Sequence, residues 1–158
     1  MSNTNTTDAA EALDLMRTTV ATHIAAARES VERLTKTAQR RKAENAIQQL
    51  GWIAKELETY DISRPRAVSD LKKMAIEVRV LAGSFMSPAD INAVEAYHAA
   101  VARRTVVREL LTKDQENAEL AAEFDALGAK VAPGRFITWA QLRDMRAMGL
   151  KSSAELSR

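Results

Sequence analysis

Two residues with metal-binding side chains, Glu95 and His98, stand three positions apart in the chain. At this spacing both side chains leave one face of a helix, and such Glu-x-x-His pairs supply ligands to di-iron centres in helical bundles. A complete centre also needs a second pair of this kind and two further glutamates. The other histidine, His23, has Val20 rather than a glutamate three positions before it. We therefore interpret Glu95 and His98 as an ordinary helical pair and expect no metal or other cofactor.

Patterns that support other enzyme chemistry are missing from the sequence. It has no cysteine, which excludes thiolate nucleophiles, disulfides and cysteine-ligated metals within these residues. No serine lies in a Gly-x-Ser-x-Gly elbow, and the glycines at positions 83 and 134 lack the spacing and the lysine of a phosphate-binding loop. We expect a protein that is not an enzyme, and an enzyme remains the minority interpretation.

Basic residues form three clusters, at positions 33–42, 103–108 and 130–158. If folding places two of them on one side, they can neutralise several phosphates of a nucleic acid. The alternative is that each cluster is a solvated helix face paired with nearby acids such as Glu32, Glu44 and Glu109. The candidate nucleic-acid contacts are Arg33, Lys36, Arg40, Arg41, Lys42, Arg103, Arg104, Arg143 and Arg146.

The C-terminal segment 129–158 combines bases with closely spaced large apolar side chains. A helix from Thr138 to Met148, a turn at Gly149 and a cap at Ser152 are typical of a helix-turn-helix, but under two turns of a recognition helix remain. We instead predict a docking arm that closes the end of its own bundle or packs on a partner. The candidate partner-binding residues are Phe136, Trp139, Leu142, Met145 and Met148.

Helices must position all these side chains, because the composition is typical of an all-α protein. Apolar residues make up 46% of the chain but aromatic residues only 4%, and five glycines and three prolines are too few for the turns of an all-β domain. The longest element is an amphipathic stretch from Asp8 to Ala38, which predicts one helix of about thirty residues. Two series of residues recur in it every seven positions, namely Leu13, Val20, Ala27 and Leu34, and Arg17, Ile24, Val31 and Ala38. Such spacing is typical of a coiled-coil seam and favours self-association through this helix, unless later helices cover it.

The apolar pattern changes phase between residues 35 and 42. This change indicates a kink or a tight reversal, followed by a second helix from about Arg41 to Thr59. A continuous helix with a phase shift is the alternative. Gly51 lies inside the second helix, where it lowers helix stability, and we interpret it as a place where a neighbouring helix approaches closely beside Trp52.

Capping signals and glycines mark the later helices. A third helix fits between Pro65 and Gly83, and a fifth, separate from the fourth or continuous with it, ends at Gly128. Capping boxes at residues 87–90 and 138–141 open the fourth helix and a short last one. The predicted fold is an elongated helical bundle of about five main helices, with a long N-terminal helix and a short helical C-terminal tail.

The predicted organisation is a disordered tail over residues 1–7, a helical bundle over 8–128 and a C-terminal arm over 129–158. No signal peptide is visible, and no run approaches the ~20 apolar residues that span a bilayer, so we expect a cytoplasmic protein without a membrane partner. The leading functional hypothesis is an interaction protein that self-associates through its first helix or binds another protein, with the basic arm as a second contact. The alternative is an accessory protein that binds or packages nucleic acid.

Overall fold

The computed structural model describes the backbone of residues 2–149 and the side chains of residues 6–149, and this part of the chain is helical without strands. The prediction of an all-α fold with five main helices and a short last one is confirmed. The helices are α1 (Ser2–Arg33), α2 (Thr37–Glu58), α3 (Ala67–Gly83), α4 (Pro88–Lys113), α5 (Ala118–Val131) and α6 (Trp139–Ala147). Because α1 begins at Ser2, residues 2–7 are helical rather than the disordered tail that the polar sequence predicts.

The chain divides into two compact units after Asn92, inside α4. The sequence placed its boundary at residue 128 instead, where a glycine and a proline-containing segment follow one another. In the structure, α5 and α6 lie in the same unit and share one apolar core, so the boundary does not fall between them.

The first unit contains α1, α2 and α3, and its core is built from the first of the two seven-residue series. Leu13, Val20, Ala27 and Leu34 are all buried. Of the second series, Ile24 and Val31 are half-buried, whereas Arg17 and Ala38 are exposed. The main core cluster is formed by Leu13, Met16, Val20, Leu50, Ile53, Leu57, Leu71 and Val78. The seam of α1 is therefore covered by side chains of α2 and α3.

A tight reversal joins α1 to α2, so the alternative of one continuous helix is excluded. α1 ends at Arg33, five residues earlier than the apolar pattern indicated, and α2 begins at Thr37. Small side chains let the two helices approach closely at this end, where buried Ala27, Ala43 and Ala46 cluster with Leu34.

Arg17, the one polar member of the seam, binds the C-terminal end of α2. Its Nε donates to the carbonyl oxygen of Leu57 at 3.1 Å, and its Nη2 donates to the same oxygen at 2.8 Å and to that of Glu58 at 3.4 Å. The last carbonyls of a helix lack partners within it and carry partial negative charge, which a guanidinium group satisfies. The base thus links α1 to α2.

The capping box that opens α4 is present as predicted. The hydroxyl of Ser87 donates to Oδ2 of Asp90 at 2.7 Å, and the backbone N–H of Ser87 donates to the same oxygen at 3.2 Å. The N–H of Asp90 donates back to the Ser87 hydroxyl at 3.2 Å. α4 ends at Lys113, and Asn117 caps the separate helix α5 by accepting from the N–H of Leu120 at 3.1 Å.

The second unit is built from the later part of α4, α5 and α6 around Val107, Leu111, Phe124, Trp139 and Leu142. Three contacts hold α6 in place. The predicted capping box of Thr138 is formed, the N–H of Trp139 donates to Oδ1 of Asp125 at 2.7 Å, and Trp139 Nε1 donates to the carbonyl oxygen of Gln115 at 3.1 Å. α6 is therefore docked within its unit.

At two glycines the structure differs from what the sequence predicts. Nothing lies within 4 Å of a Cβ built on Gly51, so the predicted close approach of another helix at this position is wrong. Gly128 lies inside α5 rather than after its end, and a Cβ built there would be 2.8 Å from Cδ2 and 3.0 Å from Cβ of Phe136. Only a glycine accommodates the segment after α5 at this distance.

Candidate functional site

The structure separates the five predicted partner-binding residues of the C-terminal arm. Trp139 and Leu142 are only 3% and 5% exposed, so they belong to the core and are not free to contact a partner. Phe136 and Met145 are half-buried, and Met148 is 68% exposed. The sequence groups these five residues because they lie close together along the chain. Folding places their side chains on different faces, so they do not form one exposed surface. The helix start predicted at Ser152 lies outside the described residues.

The first basic cluster surrounds the reversal between α1 and α2. Arg33 forms an ion pair with Glu29 at 3.6 Å. Lys36, Arg40, Arg41 and Lys42 are exposed, and within the described residues none of these four forms an ion pair. The first turn of α2 contains no acid, and the side chain of Lys36 makes no capping hydrogen bond. Positive charge therefore accumulates at a helix N-terminus, where the helix dipole disfavours it.

Arg103, in the second cluster, binds α5 rather than projecting freely into solvent. Its guanidinium donates to both carboxylate oxygens of Glu123, at 2.6 and 3.1 Å. This hydrogen bonding raises the pKa of Arg103 and lowers the pKa of Glu123. Arg143 forms a similar contact with Glu116 at 3.2 Å, and Arg146 also has an interaction of its own. For Arg103 and Arg143 the interpretation as locally paired bases is favoured.

Arg104 is half-buried against the core of the second unit. Its guanidinium carbon lies 4.2 Å from the centre of the Phe124 ring, and Nη2 donates to the carbonyl oxygen of Ile137 at 3.0 Å. Nε is buried and finds no hydrogen-bond partner within the described chain. Burial lowers the pKa of Arg104, and the neighbouring charge of Arg108 acts in the same direction while Asp125 opposes both. The structure thus holds the Arg104 guanidinium in an apolar setting, near the charges of both Asp125 and Arg108.

A cleft of about 290 Å³ opens beside Arg104 in the second unit. α4 contributes Arg104 and Arg108 to its wall, and the segment after α5 contributes Arg135. Its apolar lining includes Phe124, Phe136 and Leu142, and none of the described lining residues is acidic. Arg108 and Arg135 belong to the second and third basic clusters but are not among the candidate nucleic-acid contacts. The spacing of four between Arg104 and Arg108 indicates one helical face, but no sequence signal places Arg135 beside them.

α4 also exposes an apolar stripe, which we define as Val94, Tyr97 and Val101. These side chains are 42%, 47% and 37% exposed, and their spacing puts them on one helical face. Val106 and Leu110 are similarly exposed on another face of α4. Ile91, Val107 and Leu111 of the same helix are buried instead.

The remaining candidates do not form a site in the described part of the chain. Glu95 and His98 are both exposed, and the ring of His98 contacts Tyr97 edge-on at 5.7 Å. Between residues 2 and 149 no three or more His, Cys, Asp or Glu side chains are grouped as metal ligands would be. None of the helices described is both long and apolar enough to cross a membrane.

Comparison of the chain with protein-family models, with curated proteins and with solved structures finds no match. Function is therefore inferred from the geometry of this chain alone.

Proposed function

We propose that this protein is a non-enzymatic interaction protein that self-associates through the apolar stripe of α4. The observation that carries the proposal is the exposure of Val94, Tyr97 and Val101 on one face of a well-formed helix. The stripe extends over about 10 Å, and its spacing of i, i+3 and i+7 is that of helices which pack against another helix. Contiguous exposed apolar residues on a helix favour a binding surface.

The interface lies on α4 rather than on the first helix. The residues of α1 that made self-association plausible, such as Val20 and Ala27, are fully buried within the first unit. A second copy could reach them only by displacing α2 and α3. The stripe on α4 needs no such rearrangement.

The apolar character of the stripe favours a second copy of the chain as the occupant. Val94, Tyr97 and Val101 are uncharged, and the same three residues of an antiparallel second α4 present a matching apolar surface to them. Such an arrangement uses the same surface twice, as a two-fold symmetric dimer requires.

The experiment is light scattering during size-exclusion chromatography over a wide range of concentrations. The intact chain is expected to shift from monomer to dimer as concentration rises. Val94→Lys should abolish the shift, because it places a charge in the middle of the apolar contact. Val106→Lys is the matched control, since it makes the same change at a similarly exposed valine on another face of α4, and it should dimerise normally. A monomer at every concentration, or equal behaviour of the two variants, would contradict the proposal.

A second candidate function is nucleic-acid binding through the basic turn, which we define as Lys36, Arg40, Arg41 and Lys42. The specific observation is that these four exposed bases have no ion pair within the described residues, whereas Arg103 and Arg143 do. Phosphates that approach the basic turn would also meet the free N–H groups of the first turn of α2. Both features lower the energy of a bound polyanion.

Fluorescence anisotropy with duplex DNA and with RNA, at several salt concentrations, tests this candidate. If the basic turn neutralises four phosphates of duplex DNA, the logarithm of the association constant should fall against the logarithm of salt concentration with a slope of about −3.6. Replacing Arg40, Arg41 and Lys42 by glutamine should reduce the slope to about −0.9. The same replacement of Lys55, Lys72 and Lys73 is the control. No binding at low salt would exclude this function.

A further inference from the structure

We propose that the arginine-lined cleft of the second unit binds a small molecule in which an oxyanion, a carboxylate or a phosphate, is joined to a short apolar body. This site goes beyond the self-association proposed above, because it concerns a ligand of a different class. Its two halves are the guanidinium groups of Arg104, Arg108 and Arg135, and the apolar surface formed by Val101, Val131 and Phe136.

The electrostatics of the cleft favour an anion. Arg104 and Arg108 lie one helical turn apart. Burial lowers the pKa of Arg104, the carboxylate of Asp125 raises it, and the positive charge of Arg108 lowers it by less than Asp125 raises it. Arg135 adds a third guanidinium at the same cleft, and none of the described lining residues supplies a carboxylate. Burying part of a guanidinium group beside apolar surface raises the free energy of the folded chain. A bound oxyanion offsets this cost and forms charge-assisted hydrogen bonds with the guanidinium groups.

Arg104 is held in place before any ligand arrives. The Phe124 ring supports the face of its guanidinium, and the Ile137 carbonyl fixes Nη2. Holding a flexible arginine in one geometry reduces the side-chain entropy that is lost on binding. The buried Nε of Arg104 also remains a donor for which the described chain supplies no acceptor. Holding this guanidinium in the cleft wall therefore lowers the stability of the second unit.

The size and lining of the cleft indicate what the apolar part of the ligand can be. A volume of about 290 Å³ is at the lower end of the range for small-molecule sites, so the cleft fits one ring or a short chain rather than a nucleotide. Phe136, which is half-buried, offers aromatic surface for such a group. Carboxylates and phosphates both match the fork of a guanidinium, and separate probes distinguish them.

The test is isothermal titration calorimetry at constant ionic strength with phenyl phosphate and with phenylacetate. Inorganic phosphate probes the anion without the ring, and benzyl alcohol probes the ring without the charge. At least one of the two ring-bearing anions should bind saturably, with a Kd of about 1 mM or tighter, as expected for ligands of this size. Inorganic phosphate and benzyl alcohol should each bind at least about tenfold more weakly, because each retains only one half of the recognition.

Substitutions in the cleft wall test whether the ligand binds there. Arg135→Gln should weaken the preferred ligand about tenfold, and since Arg135 is exposed, this variant should keep the fold. Lys130→Gln is the matched control, because it removes one exposed charge near the end of α5 from a residue that does not line the cleft. Arg104→Gln should abolish binding, and its circular dichroism spectrum shows whether the fold is retained.

The same titrations in the Val94→Lys background separate this inference from the proposed function, because that variant is monomeric if α4 forms the dimer and Val94 does not line the cleft. Binding with or without dimerisation supports the inference. It is overturned if neither ring-bearing anion binds saturably, if inorganic phosphate binds as tightly, or if Arg135→Gln and Lys130→Gln bind alike.

Discussion

Replacing Gly128 by alanine tests the packing that forms the second unit. Inside a helix such as α5, alanine is more favourable than glycine by about 1 kcal/mol. The new Cβ, however, would lie 2.8 Å from Cδ2 of Phe136, which is closer than real Cβ atoms pack, and 3.0 Å from its Cβ and Cγ. Rotation of the ring moves Cδ2 but leaves the contact with Cβ in place, so the backbone of the segment after α5 must also shift. Overpacking of this kind costs about 1–3 kcal/mol, so the second unit should be destabilised by about 1 kcal/mol.

The matched control is Gly51→Ala in α2, where nothing lies within 4 Å of the new Cβ. This variant should gain about 1 kcal/mol, because the change in helix propensity acts alone. The two substitutions are chemically identical, both lie inside a helix, and they should shift stability in opposite directions.

Urea unfolding followed by tryptophan fluorescence can report on the second unit alone. The chain has two tryptophans, and Trp52→Phe removes the exposed one, which leaves Trp139 in the core of the second unit. In this background Gly128→Ala should lower the midpoint, and the loss should shrink when Phe136 is also replaced by alanine. The first unit is followed by the circular dichroism of the intact chain. If Gly128→Ala proved as stabilising as Gly51→Ala, the described contact between α5 and Phe136 would be refuted.

Three further predictions follow from named contacts. Arg17→Met should destabilise the first unit by about 1–2 kcal/mol in thermal unfolding, because it removes the hydrogen bonds to the end of α2, whereas an exposed Arg28→Met should have little effect. The hydrogen bond from Arg103 lowers the pKa of Glu123, so the ionised carboxylate stabilises the folded chain at neutral pH. This stability is lost as the pH falls through the lowered pKa, and Glu123→Gln should remove that part of the acid dependence of unfolding. The anion that binds the cleft should shift the α4 dimer toward monomer in light scattering, since Val101 belongs to the apolar stripe and also lines the cleft, and an unchanged dimer would contradict a shared surface.

Much of the fold follows from local sequence chemistry. The capping boxes at Ser87 and Thr138 form as predicted, because their hydrogen bonds involve only residues three positions apart. The reversal after α1 is also visible as the phase change beyond Leu34. The ends of α1 and α5 were less predictable, because a tertiary contact such as that of Gly128 with Phe136 gives a glycine a role other than helix termination.

The candidate sites were harder to predict, because they depend on which apolar residues the fold covers. Trp139 and Met148 lie on the same short segment, yet one is core and the other is exposed. α4 contributes Ile91 to the core of the first unit and Val107 to that of the second, so its apolar residues cannot be interpreted as one buried stripe. The cleft joins α4 to a turn about thirty residues later, and helical periodicity carries no information about such a contact.

Thiol-specific crosslinking at α4 tests the central claim most directly. The natural chain has no cysteine, so a single one can be introduced at Tyr97, inside the apolar stripe, or at Leu110, which is similarly exposed on another face. Treatment with a short bifunctional maleimide should convert the Tyr97→Cys chain largely into a covalent dimer and leave the Leu110→Cys chain monomeric. Equal yields from the two positions, or no dimer from position 97, would contradict self-association through this face of α4.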